Sequence, residues 1–283
     1  MFDFDDDVLD QLETPAEPQQ EPVLVCFYSG GFYHNDGRKL LNDLLESAAK
    51  KGIGDTLVLG FPDHYGIKGE GYEWWPIYVD RLVEEIDNEG YGDRPLLVFG
   101  HSRGCCPAMS LASRLGKRVL KVYTCGTGAI AAGEPTPWEM LSINFKKGGD
   151  KELLAWFASL QPGNVILERA ASLPESEIPQ ALSESKWLAS TLSLMRLQYR
   201  DATYPQMIGE DAVIKAIPSP IMAFRLLLDA GDTDHMFIPS RFATTAGVEL
   251  KQIKAGHMDC LLKGSELLEI ATADMATFLP KYS

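Results

Sequence analysis

One stretch of the sequence decides the fold: Leu96-Leu97-Val98-Phe99-Gly100-His101-Ser102-Arg103-Gly104. Its first four residues are apolar, as is typical of a buried β-strand. The next five follow the pattern Gly-x-Ser-x-Gly, in which the small residues allow a sharp turn that lifts a serine above a sheet. The small-residue run Cys105-Cys106-Pro107-Ala108 follows and predicts a helix start, because proline is tolerated in a first helical turn. This order of strand, turn and helix makes Ser102 a candidate nucleophile.

Strand-like and helix-like runs alternate on both sides of this stretch. Short apolar or β-branched runs predict further strands at 23–27, 56–61, 119–125, 221–228 and 248–253. Apolar residues at helical spacing predict helices at 36–50, 74–88, 105–115 and 264–278. Alternation of this kind favours a mostly parallel sheet with helices on both faces. With a serine at the strand-to-helix turn, it predicts an α/β-hydrolase fold.

The region from 134 to 215 interrupts the alternation. It contains helix-like pieces at 151–160 and 183–199, separated by loops rich in proline, with no clear strand between them. We therefore predict a helical lid insertion at 135–215 and a hydrolase core formed by 22–134 and 216–283. Residues 1–21 are acidic and contain proline and glutamine, which predicts a disordered tail.

Charge is distributed unevenly along the chain. The net charge is −14, but eight acidic residues lie in the first 21 positions and no Lys or Arg precedes Arg38. The tail is either a solvated leader or a docking segment, since its few apolar residues could form a short amphipathic turn. A nucleic-acid partner is not expected, because the chain has no basic footprint. The start of the chain lacks the pattern of a secretory signal and no run could span a bilayer, so a cytoplasmic protein with no membrane association is expected.

The base that would activate Ser102 is expected later in the sequence, because the triad residues of this fold follow the chain order serine, acid, histidine. Of the five histidines, only His235 and His257 lie well beyond the serine. His257 follows the strand predicted at 248–253 and precedes the last predicted helix, where a loop would reach the serine. His257 is therefore the expected general base, and His235 is interpreted as a polar loop residue.

The acid of the triad is expected in the loop after the strand predicted at 221–228. Three aspartates follow that strand: Asp229, Asp232 and Asp234. Asp234 is preferred and Asp232 is the second choice, because Asp229 can be explained as a residue that ends the strand or caps a turn. The chosen carboxylate would fix the tautomer of the imidazole and stabilise its charged form.

The oxyanion hole needs two backbone donors. One is expected from the N–H group of Arg103, directly after the nucleophile. The other is expected from Ser29, or alternatively Gly30, in the loop that follows the first strand. The Arg103 side chain either pairs with an acidic group at the surface or faces the substrate entrance, where it would favour an anionic group.

Neither a cofactor nor a metal ion is expected. The five cysteines are odd in number and lack the spacing of a zinc site. Those in apolar runs are expected to be reduced thiols that pack as small hydrophobic residues. His34 and His64 also lack partners at metal-ligand spacing.

Four patches together resemble the type II thioesterases that accompany polyketide and nonribosomal peptide synthases. They are the early strand and glycine pair at 24–31, the serine turn at 95–103, the strand and acid loop at 219–234, and Gly256-His257. The chain departs from the family at Phe27, where the family usually has proline, at Arg103, where it often has methionine, and at Met258, where it usually has an aromatic residue.

The resemblance implies a serine hydrolase that cleaves acyl thioesters through an acyl-enzyme on Ser102. The substrate would be carried on phosphopantetheine or coenzyme A, and the partner would be an acyl or peptidyl carrier protein. Carrier docking would use local basic patches at 146–147 or 114–121. Lid side chains could line the acyl pocket or only pack a structural core; the candidates are Trp138, Phe145, Trp156, Phe157, Trp187, Leu194 and Tyr199. An ester or lactone hydrolase, an acyltransferase or cyclase, and a non-catalytic binding protein on the same fold remain alternatives.

Overall fold

A parallel sheet of six strands forms the centre of the protein. The computed structural model describes residues 20–67, 74–126, 149–199, 217–229 and 244–281. The strands are β1 (Val23–Phe27), β2 (Thr56–Leu59), β3 (Leu96–His101), β4 (Val119–Cys125), β5 (Ile221–Leu226) and β6 (Val248–Ile253). Their order across the sheet is β2-β1-β3-β4-β5-β6, and every neighbouring pair is parallel. The carboxyl ends of β1, β3, β5 and β6 therefore lie along one edge, where ligands bind in open α/β sheets.

Nine α-helices occur in the described part of the chain. They are α1 (His34–Leu40), α2 (Asn42–Lys50), α3 (Trp74–Asn88), α4 (Cys105–Leu115), α5 (Asp150–Leu160), α6 (Val165–Ser172), α7 (Ile178–Glu184), α8 (Lys186–Tyr199) and α9 (Glu266–Met275). The helices α3 and α4 pack on one face of the sheet, and α2 and α9 pack on the other. The predicted α/β-hydrolase fold is confirmed by this arrangement, which buries the central strands on both faces.

The helix predicted at 36–50 is divided into two at Leu41. Its amide donates to the carbonyl of Arg38 at 3.1 Å, three residues back, so the helix tightens at this point. The Leu41 side chain is fully buried in the core against the sheet. The apolar spacing of the sequence runs through this position without a break, which explains why the sequence predicts a single helix.

The four helices between residues 150 and 199 have a core of their own. Leu154, Phe157, Leu167, Leu192 and Met195 are among the residues of this cluster, which is separate from the two clusters that flank the sheet. The predicted helices at 151–160 and 183–199 correspond to α5 and to the end of α7 with α8. Among the helices of the described residues, none combines the length and apolar character that a membrane crossing requires. Most of the predicted tail, residues 1–19, lies outside the described residues.

Candidate active site

Ser102 lies at a strained turn between β3 and α4. Its φ angle of 53° is the only positive φ of a non-glycine residue in the described ranges. Added Cβ atoms at Gly100 and Gly104 would each lie 2.6 Å from backbone atoms, at Gly104 those of the Phe27 and Tyr28 carbonyls. The chain therefore turns this tightly only because both positions are glycine. Non-glycine residues in this conformation are costly and are concentrated at functional sites.

His257 lies in the loop after β6 and meets a buried carboxylate. Its Nδ1 atom is 2.5 Å from Oδ2 of Asp229, and the two side chains are only 6% and 3% exposed. Asp229 is held in place by its own amide, which donates to the Leu226 carbonyl at 3.1 Å. The preceding amide of Leu228 donates to the Ala255 carbonyl at 3.1 Å, which ties this loop to the one that carries the histidine. A buried, hydrogen-bonded carboxylate of this kind fixes the orientation of an imidazole.

Asp234, the acid expected from the sequence, lies outside the described residues, as do Asp232 and His235. The carboxylate that the described structure places on His257 is instead Asp229, which sequence reasoning attributed to a strand end or turn. The strand β5 ends at Leu226, two residues before the predicted end. Asp229 therefore stands in the loop beyond the carboxyl edge of the sheet. Asp229 is the first carboxylate after β5 in the sequence, and this position is the signal that could have identified it as the acid.

The residues expected to form the oxyanion hole flank Ser102. Ser29 and Gly30 line the same small cavity as Ser102 and His257. The Arg103 backbone belongs to the single 3₁₀ turn from Ser102 to Gly104 that follows β3. The Arg103 side chain is buried, with 5% of its surface exposed.

Side chains from α5 and α8 line a small cavity at the serine. The volume of the cavity is about 10 Å³, close to the space that one water molecule needs. Its lining consists of Ser29, Gly30, Phe32, Ser102, Phe157, Gln161, Met195, His257 and Met258. A wider groove of about 370 Å³ shares Phe32, Gln161, His257 and Met258 with it and is bounded further out by Leu40, Pro162, Asn164 and Asp259. Among the described residues this groove adjoins the cavity at His257, and a volume of about 10 Å³ is too small for an acyl group.

Of the seven aromatic or aliphatic residues considered for an acyl pocket, Phe157 lines the cavity. Trp156 packs against the separate helical core, and Trp187 is 46% exposed. Leu194 is buried but is not among the residues that line this cavity, and the placement of the Tyr199 side chain is not described. Trp138 and Phe145 lie outside the described residues.

Two of the four basic residues in the patch expected at 114–121, Arg118 and Lys121, make internal contacts, and the other two are exposed. Lys121 is buried and pairs with Asp274, at 2.9 Å. The Arg118 guanidinium donates to the Arg94 carbonyl at 2.9 Å, and burial lowers its pKa. Arg114 pairs with a helix aspartate at the surface. The basic pair at 146–147 lies outside the described residues.

Three features of the structure are typical of the α/β-hydrolase fold. They are a parallel sheet of six strands, a strained serine after β3, and a buried pair formed by a histidine after β6 and a carboxylate after β5. Solved structures of similar fold include RedJ, a thioesterase from the prodiginine biosynthetic pathway in Streptomyces coelicolor. That structure is 16% identical, with a TM-score of 0.60, and the match covers 99% of this chain and 98% of that chain.

Two further solved structures extend this comparison. BorB, a type II thioesterase from the borrelidin biosynthetic cluster, is 18% identical with a TM-score of 0.51, covering 92% of this chain and 95% of that chain. A hydrolase from Pseudomonas aeruginosa is 16% identical with a TM-score of 0.55, covering 91% and 89%. No family model and no curated protein matches the chain. At identities this low the likeness establishes the fold, and activity must be argued from the site.

Proposed function

We propose that this protein is a serine hydrolase that cleaves acyl thioesters through an acyl-enzyme on Ser102. The observation that carries the proposal is the buried pair of His257 and Asp229, 2.5 Å apart, in a site whose cavity Ser102 also lines. A serine hydroxyl is a weak nucleophile until an adjacent base removes its proton. A strained serine, a histidine and a carboxylate that orients it are the three groups that this chemistry requires.

The reaction would proceed in two halves. Ser102 Oγ attacks the thioester carbonyl while His257 Nε2 takes the hydroxyl proton, and Asp229 stabilises the imidazolium through Nδ1. The backbone N–H groups of Arg103 and Ser29 hold the oxyanion. The C–S bond then breaks, and the thiol leaves with the proton from His257. A water molecule, deprotonated by His257, attacks the acyl-enzyme and releases the acid and Ser102.

Carrier-bound acyl groups are the substrate class that we favour. The four sequence patches support this choice, as does the similar fold of RedJ and BorB, two thioesterases of biosynthetic pathways. The open groove beside His257 supports entry of an extended arm such as phosphopantetheine. The partner would then be an acyl or peptidyl carrier protein. The helices from α5 to α8 would act as a lid, since the closed cavity of about 10 Å³ must widen before an acyl group fits.

The decisive experiment is intact-mass detection of an acyl group on the protein after mixing with a set of carrier-bound thioesters. The expected result is a mass increase equal to the acyl group, absent in the Ser102→Ala variant. A parallel panel of oxygen esters and lactones measures preference, and candidate amine or alcohol acceptors test for transfer. A clear preference for oxygen esters, or transfer in place of hydrolysis, would contradict the thioesterase proposal while leaving the serine mechanism intact.

A further inference from the structure

His101, the last residue of β3, is fully buried directly before the nucleophile. Its two ring nitrogens contact two different loops. Nδ1 hydrogen-bonds the hydroxyl of Ser29, in the loop after β1. Nε2 hydrogen-bonds the backbone carbonyl of His257 at 2.8 Å, in the loop after β6. We infer that His101 is a positioning residue that fixes the oxyanion loop and the base loop relative to Ser102. The inference rests on the proposed function.

The hydrogen-bond partners assign the tautomer of the ring. A carbonyl oxygen can only accept a hydrogen bond, so Nε2 of His101 carries a proton and donates it to His257. Nδ1 then presents its lone pair, and the Ser29 hydroxyl donates to it. The neutral ring satisfies both bonds without placing a charge in the core, where an uncompensated charge is costly.

The Ser29 hydroxyl is therefore already committed to His101. Ser29 can serve the oxyanion only through its backbone N–H group, whose direction depends on where the loop is held. The second bond of His101 holds the backbone carbonyl of His257, the residue whose Nδ1 contacts Asp229. Because this bond fixes the backbone of His257, it limits where the His257 imidazole can lie. One side chain thus sets the position of two groups that must converge on the same carbonyl carbon.

Two buried thiols surround the ring on its Nε2 side. Cys260 Sγ is 3.6 Å from His101 Nε2 and 3.6 Å from Cys125 Sγ, and it donates to the His257 carbonyl at 3.2 Å. The three side chains could in principle hold a metal ion, since their donor atoms lie within 4.8 Å of one another. A metal ion would need the lone pair of His101 Nε2, but this nitrogen carries a proton and donates a hydrogen bond to the backbone carbonyl of His257. We therefore assign the thiols to packing around the ring and to a second bond on the same carbonyl.

Two substitutions separate the two bonds. In His101→Gln the amide NH₂ lies near the place of Nε2 and can still donate to the His257 carbonyl. In His101→Asn the amide oxygen lies near Nδ1 and can still accept from Ser29, but the bond to the carbonyl is lost. We expect His101→Asn to lower kcat by roughly 10- to 100-fold with KM within about twofold, since misplacement by about 1 Å has effects of this size. His101→Gln is expected to recover only part of that loss, because it loses the bond to Ser29. Ser29→Ala removes the same bond from the other side and is expected to match the remaining loss in His101→Gln; wild-type kcat in both would overturn the role of that bond.

The measurements are kcat and KM on a small free thioester, thermal melting of each variant, and side-chain ¹⁵N NMR of the wild type and of Ser102→Ala. NMR is expected to show His101 with its proton on Nε2 in both proteins. Equal kcat in His101→Asn and wild type, a His101 proton on Nδ1 alone, or one zinc ion per chain by elemental analysis would each overturn the inference. Retained hydrolysis in Ser102→Ala would instead refute the proposed function, and the NMR result would still decide the role of His101.

Discussion

Replacing Asp229 with asparagine tests which carboxylate completes the triad. The asparagine side chain has nearly the same shape, so the fold and the position of His257 should be retained while the negative charge is removed. During attack His257 becomes an imidazolium whose charge lies about 4 Å from that of Asp229. At an effective dielectric constant of about 20, this attraction amounts to about 4 kcal/mol. A loss of that size corresponds to roughly a 1000-fold decrease in kcat.

The decrease should fall on kcat rather than on KM. Before attack the imidazole is neutral, so the missing charge affects the transition state more than the bound substrate. The assay is steady-state hydrolysis of a small free thioester, with thermal melting to confirm that the variant is folded. The matched controls are Asp234→Asn and Asp232→Asn, which remove the same charge a few residues further along the sequence and are expected to keep kcat within about tenfold of wild type. A severe defect in Asp234→Asn with a mild one in Asp229→Asn would refute the assignment and restore the acid expected from the sequence.

Three further substitutions test other parts of the site. Ser102→Ala should reduce hydrolysis by several orders of magnitude and abolish labelling by a fluorophosphonate, because triad members act as a unit; labelling that persists would place the nucleophile elsewhere. Gly104→Ala should lower the free energy of unfolding in urea by about 1–3 kcal/mol or more, since the new Cβ would lie 2.6 Å from two backbone oxygens; an unchanged midpoint would mean that the turn can relax. Phe157→Ala should raise kcat/KM for long acyl chains relative to short ones, because Phe157 lines the closed cavity; an unchanged ratio would show that it does not limit acyl size.

Much of the central sheet was predictable because the strands at its centre are buried on both faces. The apolar runs at 23–27 and 119–125 correspond residue for residue to β1 and β4, and the strand predicted at 248–253 corresponds to β6, an edge strand with exposed positions. The strained turn at Ser102 was predictable for a related reason: only glycine fits at 100 and 104, and the sequence displays both. These features are local, so a short window of residues contains the physical information that specifies them.

The features that sequence reasoning missed depend on contacts between distant loops. The pairing of Asp229 with His257 depends on where β5 ends and on a bond between two loop backbones, neither of which leaves a local pattern. The contacts of His101 span 72 and 156 positions along the chain. The pattern Gly-x-Ser-x-Gly leaves the residue at position 101 unspecified, so it gives no signal for these contacts.

The residues on the two sides of Ser102 belong to different cores of the protein, and we expect them to have different roles. Behind Ser102, the side chains of His101, Cys125 and Cys260 are fully buried within the main fold, and those of His101 and Cys260 bond the His257 carbonyl. In front, Phe157 and Met195 belong to the separate core of α5 to α8. A helical unit that buries its own apolar surface can shift as a body without exposing the cores that flank the sheet. We therefore expect substitutions behind the serine to act on kcat, and substitutions in front of it to act on which acyl groups are accepted.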